Sequence, residues 1–217
     1  MTHPSPARVL VLHGLRLKGF ADADALSAVV GVPSDEVRRH LDELAADELV
    51  LRRDGRLSGW ALTPGGRKTH AELVAIELDE SGRRSEVERA YRDFLALNRD
   101  LLEACTRWQL RPVEDRQVPN DHSDPEYDSA VVERLRGIDD AVQPVCARLG
   151  AALARFGAYG GRLARARRKV EEGEGEWFTR PVIDSYHTVW FELHEDLLVT
   201  LGIERSHEGS ATGAPSR

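Results

Sequence analysis

The chain has 217 residues, 41% of them hydrophobic and 31% charged, enough apolar material for one large domain or two small ones. Thirty basic side chains stand against 37 acidic ones, a net charge of -7, so the chain as a whole is no general polyanion binder and any nucleic-acid contact must come from a local patch. No apolar run approaches the roughly 18 residues of a membrane span, and residues 1–7 lack the apolar core of a secretory signal, which points to a cytoplasmic protein with no membrane partner.

The first third reads as short helices followed by a hairpin. Residues 8–18 carry Val9, Leu12, Leu15 and Leu17 at helical spacing. Asp22 or Asp24 can cap a second helix over 23–30. Gly31-Val32-Pro33 is a turn, and Ser34 is expected to cap a third helix with Val37, Leu41 and Leu44 on its core face. Residues 49–53 read as a strand, Asp54-Gly55 as a two-residue hairpin turn, and 57–62 as the returning strand. Thr63 then caps a longer helix with Pro64 in its first turn.

The remainder is helical. From Val87 the residues Tyr91, Phe94, Asn98, Leu101, Cys105 and Trp108 recur in alternating steps of four and three, a heptad rhythm. Residues 111–122 read as a polar loop. Ser123 or Asp124 caps the next helix, along which Val131, Leu135, Ile138, Val142, Val145, Leu149, Ala152 and Phe156 continue the rhythm, with Pro144 expected to kink or break it. Tyr159, Leu163, Ala166 and Val170 extend the pattern through a basic stretch read as a solvated face. After a Gly-Glu linker at 171–176, a last helix is predicted from about residue 180 to 201, with Ile183, Tyr186, Trp190, Leu193 and Leu197 on one side. Cys105 and Cys146 sit inside these apolar patterns and read as small buried hydrophobes in a reducing compartment.

The segment 26–44 carries the functional signal. Leu26 and Val30 pack one helix, Gly31 supplies the turn, and Val37, Leu41 and Leu44 pack the next across it. That leaves Ser34, Asp35, Arg38 and Arg39 near the exposed N-terminal end of the third helix, the end that enters the major groove in a helix-turn-helix. The phrase Val37-Arg38-Arg39-His40-Leu41-Asp42-Glu43-Leu44, with the hairpin and the closing Leu62-Thr63-Pro64-Gly65-Gly66-Arg67, resembles the DNA-binding domain of bacterial winged helix-turn-helix regulators of the MarR and ArsR type, over roughly residues 7–76. The resemblance implies a mainly α protein. Residues 1–78 would form a winged helix of three helices plus a β-hairpin, 79–205 a C-terminal α-helical bundle for dimerisation and sensing, and 206–217 a disordered tail. It also implies a sequence-specific, DNA-binding transcriptional regulator, a dimeric ligand-responsive repressor. Double-stranded DNA would be met by Ser34, Asp35, Arg38, Arg39, Arg52, Arg53 and Arg56. MarR-like proteins carry a dimerising helix before this domain; here the first core helix starts near Arg8, so the homodimer is expected through the C-terminal helices, a plan closer to the PadR or GntR regulators. From Ser34 to Arg56, five arginines face seven carboxylates, a poor cation surface. The alternative is therefore a winged-helix protein-interaction adaptor or regulatory subunit that leaves DNA alone.

In the helical region the aromatics suggest a pocket for a small-molecule effector, lined by Tyr91, Phe94, Asn98, His187, Trp190 and His194. Asn98 reads equally as a register-setting polar core residue. His187 and His194, with the neighbouring carboxylates and Asp121, His122 and Asp124, have the donor types of a divalent-metal site, but hydrogen-bonded core histidines and a helix cap explain them better. The sequence holds no Gly-rich phosphate loop, no GxSxG and no HExxH. It is read as a non-enzyme without cofactor or metal, a metal-dependent helical-bundle catalyst being the minor alternative.

Overall fold

Helix-favouring residues at alternating three- and four-residue spacing make the chain mainly helical, with two small antiparallel hairpins. The computed structural model describes residues 2–55, 58–114 and 116–204. In chain order the helices are α1 (Ala7–Lys18), α2 (Ala23–Val30) and α3 (Ser34–Ala46), then strands β1 (Val50–Arg53) and β2 (Gly59–Leu62), then α4 (Pro64–Ser81) and α5 (Arg84–Gln109). Strands β3 (Leu110–Val113) and β4 (Arg116–Pro119) follow, then α6 (Pro125–Ala152), a 3-10 turn (Ala154–Ala158), α7 (Tyr159–Glu171), α8 (Glu176–Thr179) and α9 (Tyr186–Leu201). The chain divides into two units. The first takes in residues 1–84, 153–155 and 195 onward; the second takes in 85–152 and 156–194. The sequence-stretch boundary at 78/79 falls inside α4, and the predicted tail lies outside the described residues.

The first unit forms where sequence patterning places it. Val11, Leu12, Leu15, Leu26, Val37, Leu41, Leu44, Val50 and Leu62 make one buried core. Asp22 caps α2, its carboxylate accepting the Ala25 N–H at 2.8 Å, and Gly31 closes α2 in the left-handed region at φ 69°. Ser34 differs from expectation: it is the first residue of α3, Pro33 occupies the cap position, and the Ser34 hydroxyl is drawn instead to the Asp24 carboxylate. Strand β1 pairs with β2 from Val50↔Leu62 to Arg53↔Gly59. The hairpin root is tied to the α1–α2 turn, since Ala21 and Trp60 exchange both backbone hydrogen bonds, at 3.1 and 2.8 Å.

Thr63 caps α4 through the Gly66 N–H at 2.9 Å, and Gly66 lies so close to the chain before β1 that an added Cβ would stand 1.9 Å from the Leu49 carbonyl oxygen. Because the obstacle is backbone, Gly66→Ala is expected to cost about 2 kcal/mol or more, measured by urea denaturation, whereas Gly65→Ala, with only the Thr63 hydroxyl at 3.6 Å, should be close to neutral. Equal stability of the two variants would contradict this packing.

In the second unit Val87, Tyr91, Phe94, Leu101 and Cys105 of α5 are buried, as are Val131, Leu135, Ile138, Val142, Val145 and Leu149 of α6. Burial pushes both Cys105 and Cys146 thiols up to about 12, so they stay protonated and inert at neutral pH. Three expectations are corrected. First, α6 runs through Pro144 unbroken. That residue is exposed, and the carbonyl it leaves without a helical partner belongs to exposed Asp140, where water satisfies it. Second, the segment read as a polar loop contains the β3–β4 hairpin, paired from Leu110↔Pro119 to Val113↔Arg116. Third, the last helix starts at Tyr186 rather than near 180, after the short α8. The basic stretch of α7 is also not a merely solvated face. Arg167 pairs with buried Asp139 at 2.9 Å, and Arg162 with Asp184 and buried Glu192 at 3.0 and 2.6 Å. No helix among the described residues is long and apolar enough to cross a membrane.

Candidate functional site

In the first unit, the exposed end of α3 carries the residues expected to meet DNA. Asp35, Arg38 and Arg39 are exposed and Ser34 is half-buried. Their charges are already engaged. Asp24 of α2 accepts from both the Ser34 hydroxyl and the Arg38 guanidinium, the latter at 2.5 Å. The Ser34 hydrogen bond, then the Arg38 charge, hold the Asp24 carboxyl below its ordinary pKa. Arg39 donates to Glu43 at 2.9 Å, and His40 contacts the same carboxylate at 3.2 Å. On the hairpin, exposed Arg52 donates to Asp54 at 3.0 Å, while exposed Arg53 makes no ion pair among the described residues. Arg56 lies outside the described residues. Between α2, α3 and the hairpin is a cleft of about 440 Å³, bordered by Asp22, Asp24, Asp42, Arg38, Arg52 and Trp60. An anion entering it meets three carboxylates and two guanidiniums.

Behind this face, buried in the same unit, is a polar chain. The Ser5 hydroxyl donates to Glu77. Arg155 Nε donates to the other Glu77 oxygen at 2.9 Å, its Nη1 to Asp196 and its Nη2 to Thr200 Oγ1 at 2.7 Å. The other oxygen of Asp196 faces His13 Nε2 at 3.0 Å, and His13 Nδ1 faces His70 Nε2 at 3.1 Å. The Arg155, Glu77 and Asp196 side chains are 2%, 3% and 1% exposed. His70 is fully buried and its Nδ1 has no hydrogen-bond partner. Burial, then the neighbouring His13 and Arg155, lower His70 to about 3. The Arg155, Glu77, Asp196 and His70 side chains are buried, and their contacts tie the N-terminal segment, α1, α4 and α9 together within the unit.

In the second unit, the residues expected to line an effector pocket instead fill one another's space. Phe94 and Trp190 stack at 4.5 Å, and His194 packs against Phe94 at 5.4 Å and Tyr91 at 6.4 Å between ring centres. Asn98 accepts the Trp190 indole N–H at 3.0 Å, which is the polar-core role. His187 is half-buried on α9, and burial holds its imidazole below its ordinary pKa. Among the described residues no three His, Cys, Asp or Glu side chains converge as a metal site.

A cavity of about 870 Å³ opens elsewhere in this unit, beside Trp108 and His122, walled by α6, the end of α7, and α8. In the sequence Trp108 reads as the end of a heptad series, and His122 as one member of a polar loop with the donor type of a metal ligand. Asn120-Asp121-His122-Ser123-Asp124, dense in turn-forming side chains around one histidine, was the available signal for this site. The chain matches no known protein-family model, no curated protein and no solved structure. Function is therefore read from the side chains themselves.

Proposed function

We propose that the chain is a sequence-specific DNA-binding transcriptional regulator. Residues 1–78 would act as a winged helix-turn-helix and 79–205 as a helical dimerisation and sensor region of a ligand-responsive repressor. The observation that carries this reading is the placement, within one unit, of the exposed start of α3 beside a hairpin whose root is fixed to the α1–α2 turn through Ala21 and Trp60. In that arrangement Ser34, Asp35, Arg38 and Arg39 face base edges, and Arg52 and Arg53, with Arg56, face phosphates. Exposed Leu102 on α5 and Phe191 on α9 supply apolar surface for a homodimer through the C-terminal helices. The effector site belongs at the cavity beside Trp108, since Phe94 and Trp190 are stacked on each other.

The ion pairs give this reading a specific signature. Phosphates must displace Asp24 from Arg38 and Glu43 from Arg39, so carboxylate removal should help binding. In fluorescence-anisotropy titrations on a genomic fragment, Asp24→Asn is expected to tighten binding about two- to fivefold, the scale of one exposed ion pair. Arg52→Ala and Arg53→Ala should weaken all sequences alike and reduce the salt slope by about 1 each. Arg38→Ala should relax base preference by about 1–3 kcal/mol. A second reading, a protein-binding adaptor, is favoured by the same acidic cleft at Asp22, Asp24 and Asp42; it predicts no difference between genomic fragments and competitor DNA, and no gain from Asp24→Asn.

A further inference from the structure

We infer that the cavity beside Trp108 binds a small organic cation with a flat apolar body, an amine of the arylalkyl kind. At about 870 Å³ it has the size of a ligand pocket. It is assembled from stretches far apart in sequence, the end of α5, the turn before α6, and the facing ends of α6, α7 and α8.

Three features select the ligand. The first is a platform: Trp108 is half-buried and held in place by the rings of Phe178 at 4.9 Å and His122 at 4.5 Å, and an indole face attracts both flat apolar groups and cations. The second is an oriented acceptor. His122 has a left-handed backbone, φ 59°, uncommon for a residue with a side chain of this size. The turn is held by Asn120, whose Oδ1 accepts the His122 N–H at 3.1 Å and whose Nδ2 donates to the Trp108 carbonyl at 3.2 Å. His122 Nδ1 lies 2.9 Å from Asp128. A carboxylate only accepts, so that nitrogen carries the proton, and the contact fixes Asp128 as the acceptor at the cavity wall.

The third feature is charge. The wall presents Asp128, Glu133, Glu171 and Glu176 against two guanidiniums, Arg136 and Arg180, a net of -2. Arg136 is committed to Glu133 and Glu171 at 2.7 and 2.9 Å, and Arg180 to Glu176. Asp128 has no guanidinium partner among the described residues. An entering anion would meet this excess with no uncommitted guanidinium to receive it. An entering ammonium group meets carboxylates and the Trp108 ring together. Only the effector role of this cavity rests on the regulator reading; its ligand chemistry does not.

The test uses the full chain without DNA. By calorimetry, 2-phenylethylamine is expected to bind about tenfold or more tightly than 2-phenylethanol or 3-phenylpropionate, which keep the ring and change the charge. Trp108→Leu should abolish measurable binding, and Glu176→Gln, an exposed change on α8 that leaves the core alone, should weaken the amine about threefold. Equal or tighter binding of the carboxylate, no amine binding at millimolar concentration, or amine binding untouched by Glu176→Gln would each overturn the proposal. Amine binding without any change in DNA affinity would leave the pocket standing and remove its effector role.

Discussion

Arg155→Ala is expected to destabilise the protein by about 3–5 kcal/mol at neutral pH, the cost of stripping one partner from a buried ion-pair cluster. The guanidinium donates to Glu77, Asp196 and Thr200 at once, and its side chain is 2% exposed. Alanine removes the guanidinium that two buried carboxylates share, and leaves a void where the fork stood. Burial works to raise the Asp196 carboxyl, but Arg155, then His13, overcome it and hold the group well below the carboxylate range. A depressed folded pKa means that the stability it contributes is present above the ordinary value of about 3.9 and is lost as pH falls through the lower folded value. In Arg155→Ala the carboxylates would instead take up protons on folding, so the deficit should shrink as the medium is acidified toward pH 4. Urea denaturation, with hydrogen exchange of peptides from α1 and α4 to localise the effect, measures both. A loss below about 1 kcal/mol would mean the cluster is not the anchor described.

His70 should make stability fall on mild acidification. Its folded pKa, about 3, lies below the ordinary value of 6.5 because burial, then His13 and Arg155, disfavour the charged ring. The charged ring carries a proton on both nitrogens, and Nδ1 has no acceptor. The unfolded chain therefore binds the proton more readily. Stability is full above about pH 6.5 and is lost as pH drops toward 3, at up to about 1.4 kcal/mol per unit. Between pH 7 and pH 5 the loss is about 2 kcal/mol, a window in which carboxylates of ordinary or lowered pKa contribute little. His187 in the other unit shifts in the same direction, so the informative comparison is the pH slope of wild type against His70→Phe, whatever the variant's stability. An unchanged slope in the variant would show that His70 is not the titrating group.

These two effects come from the part of the protein hardest to see in its sequence. Helices and caps were legible where a local rule fixes them: Val37, Leu41 and Leu44 at helical spacing, Asp22 as a cap, Thr63-Pro64 opening a helix; Asp54-Gly55 marked the hairpin but not its loop length, since Arg53 pairs with Gly59 and a two-residue turn is ruled out. The cluster of His13, His70, Glu77, Arg155 and Asp196 joins positions 41 to 183 residues apart in its individual contacts, and no periodicity marks such pairs. Pro112 and Pro119 disguised the β3–β4 hairpin, because proline inside a short polar run argues against a strand. The heptad positions of Tyr91, Phe94 and Trp190 pointed inward correctly, but inward-facing aromatics either line a pocket or fill it, and only side-chain contacts tell which. The arginines of α3 were legible as exposed. The capture of Arg38 by Asp24 was not, since Asp24 sits on a different helix.

The proposal that α3 and the hairpin read DNA is tested most directly by immunoprecipitating the tagged full chain from its own cells, sequencing the recovered DNA, and titrating those fragments against competitor DNA at physiological salt. The regulator reading predicts an inverted repeat with half-sites about one helical turn apart, bound at least about 10³-fold more tightly than competitor. It also predicts that Arg38→Ala erases most of that preference. Recovery of no common sequence, with every fragment bound no better than competitor, would contradict it.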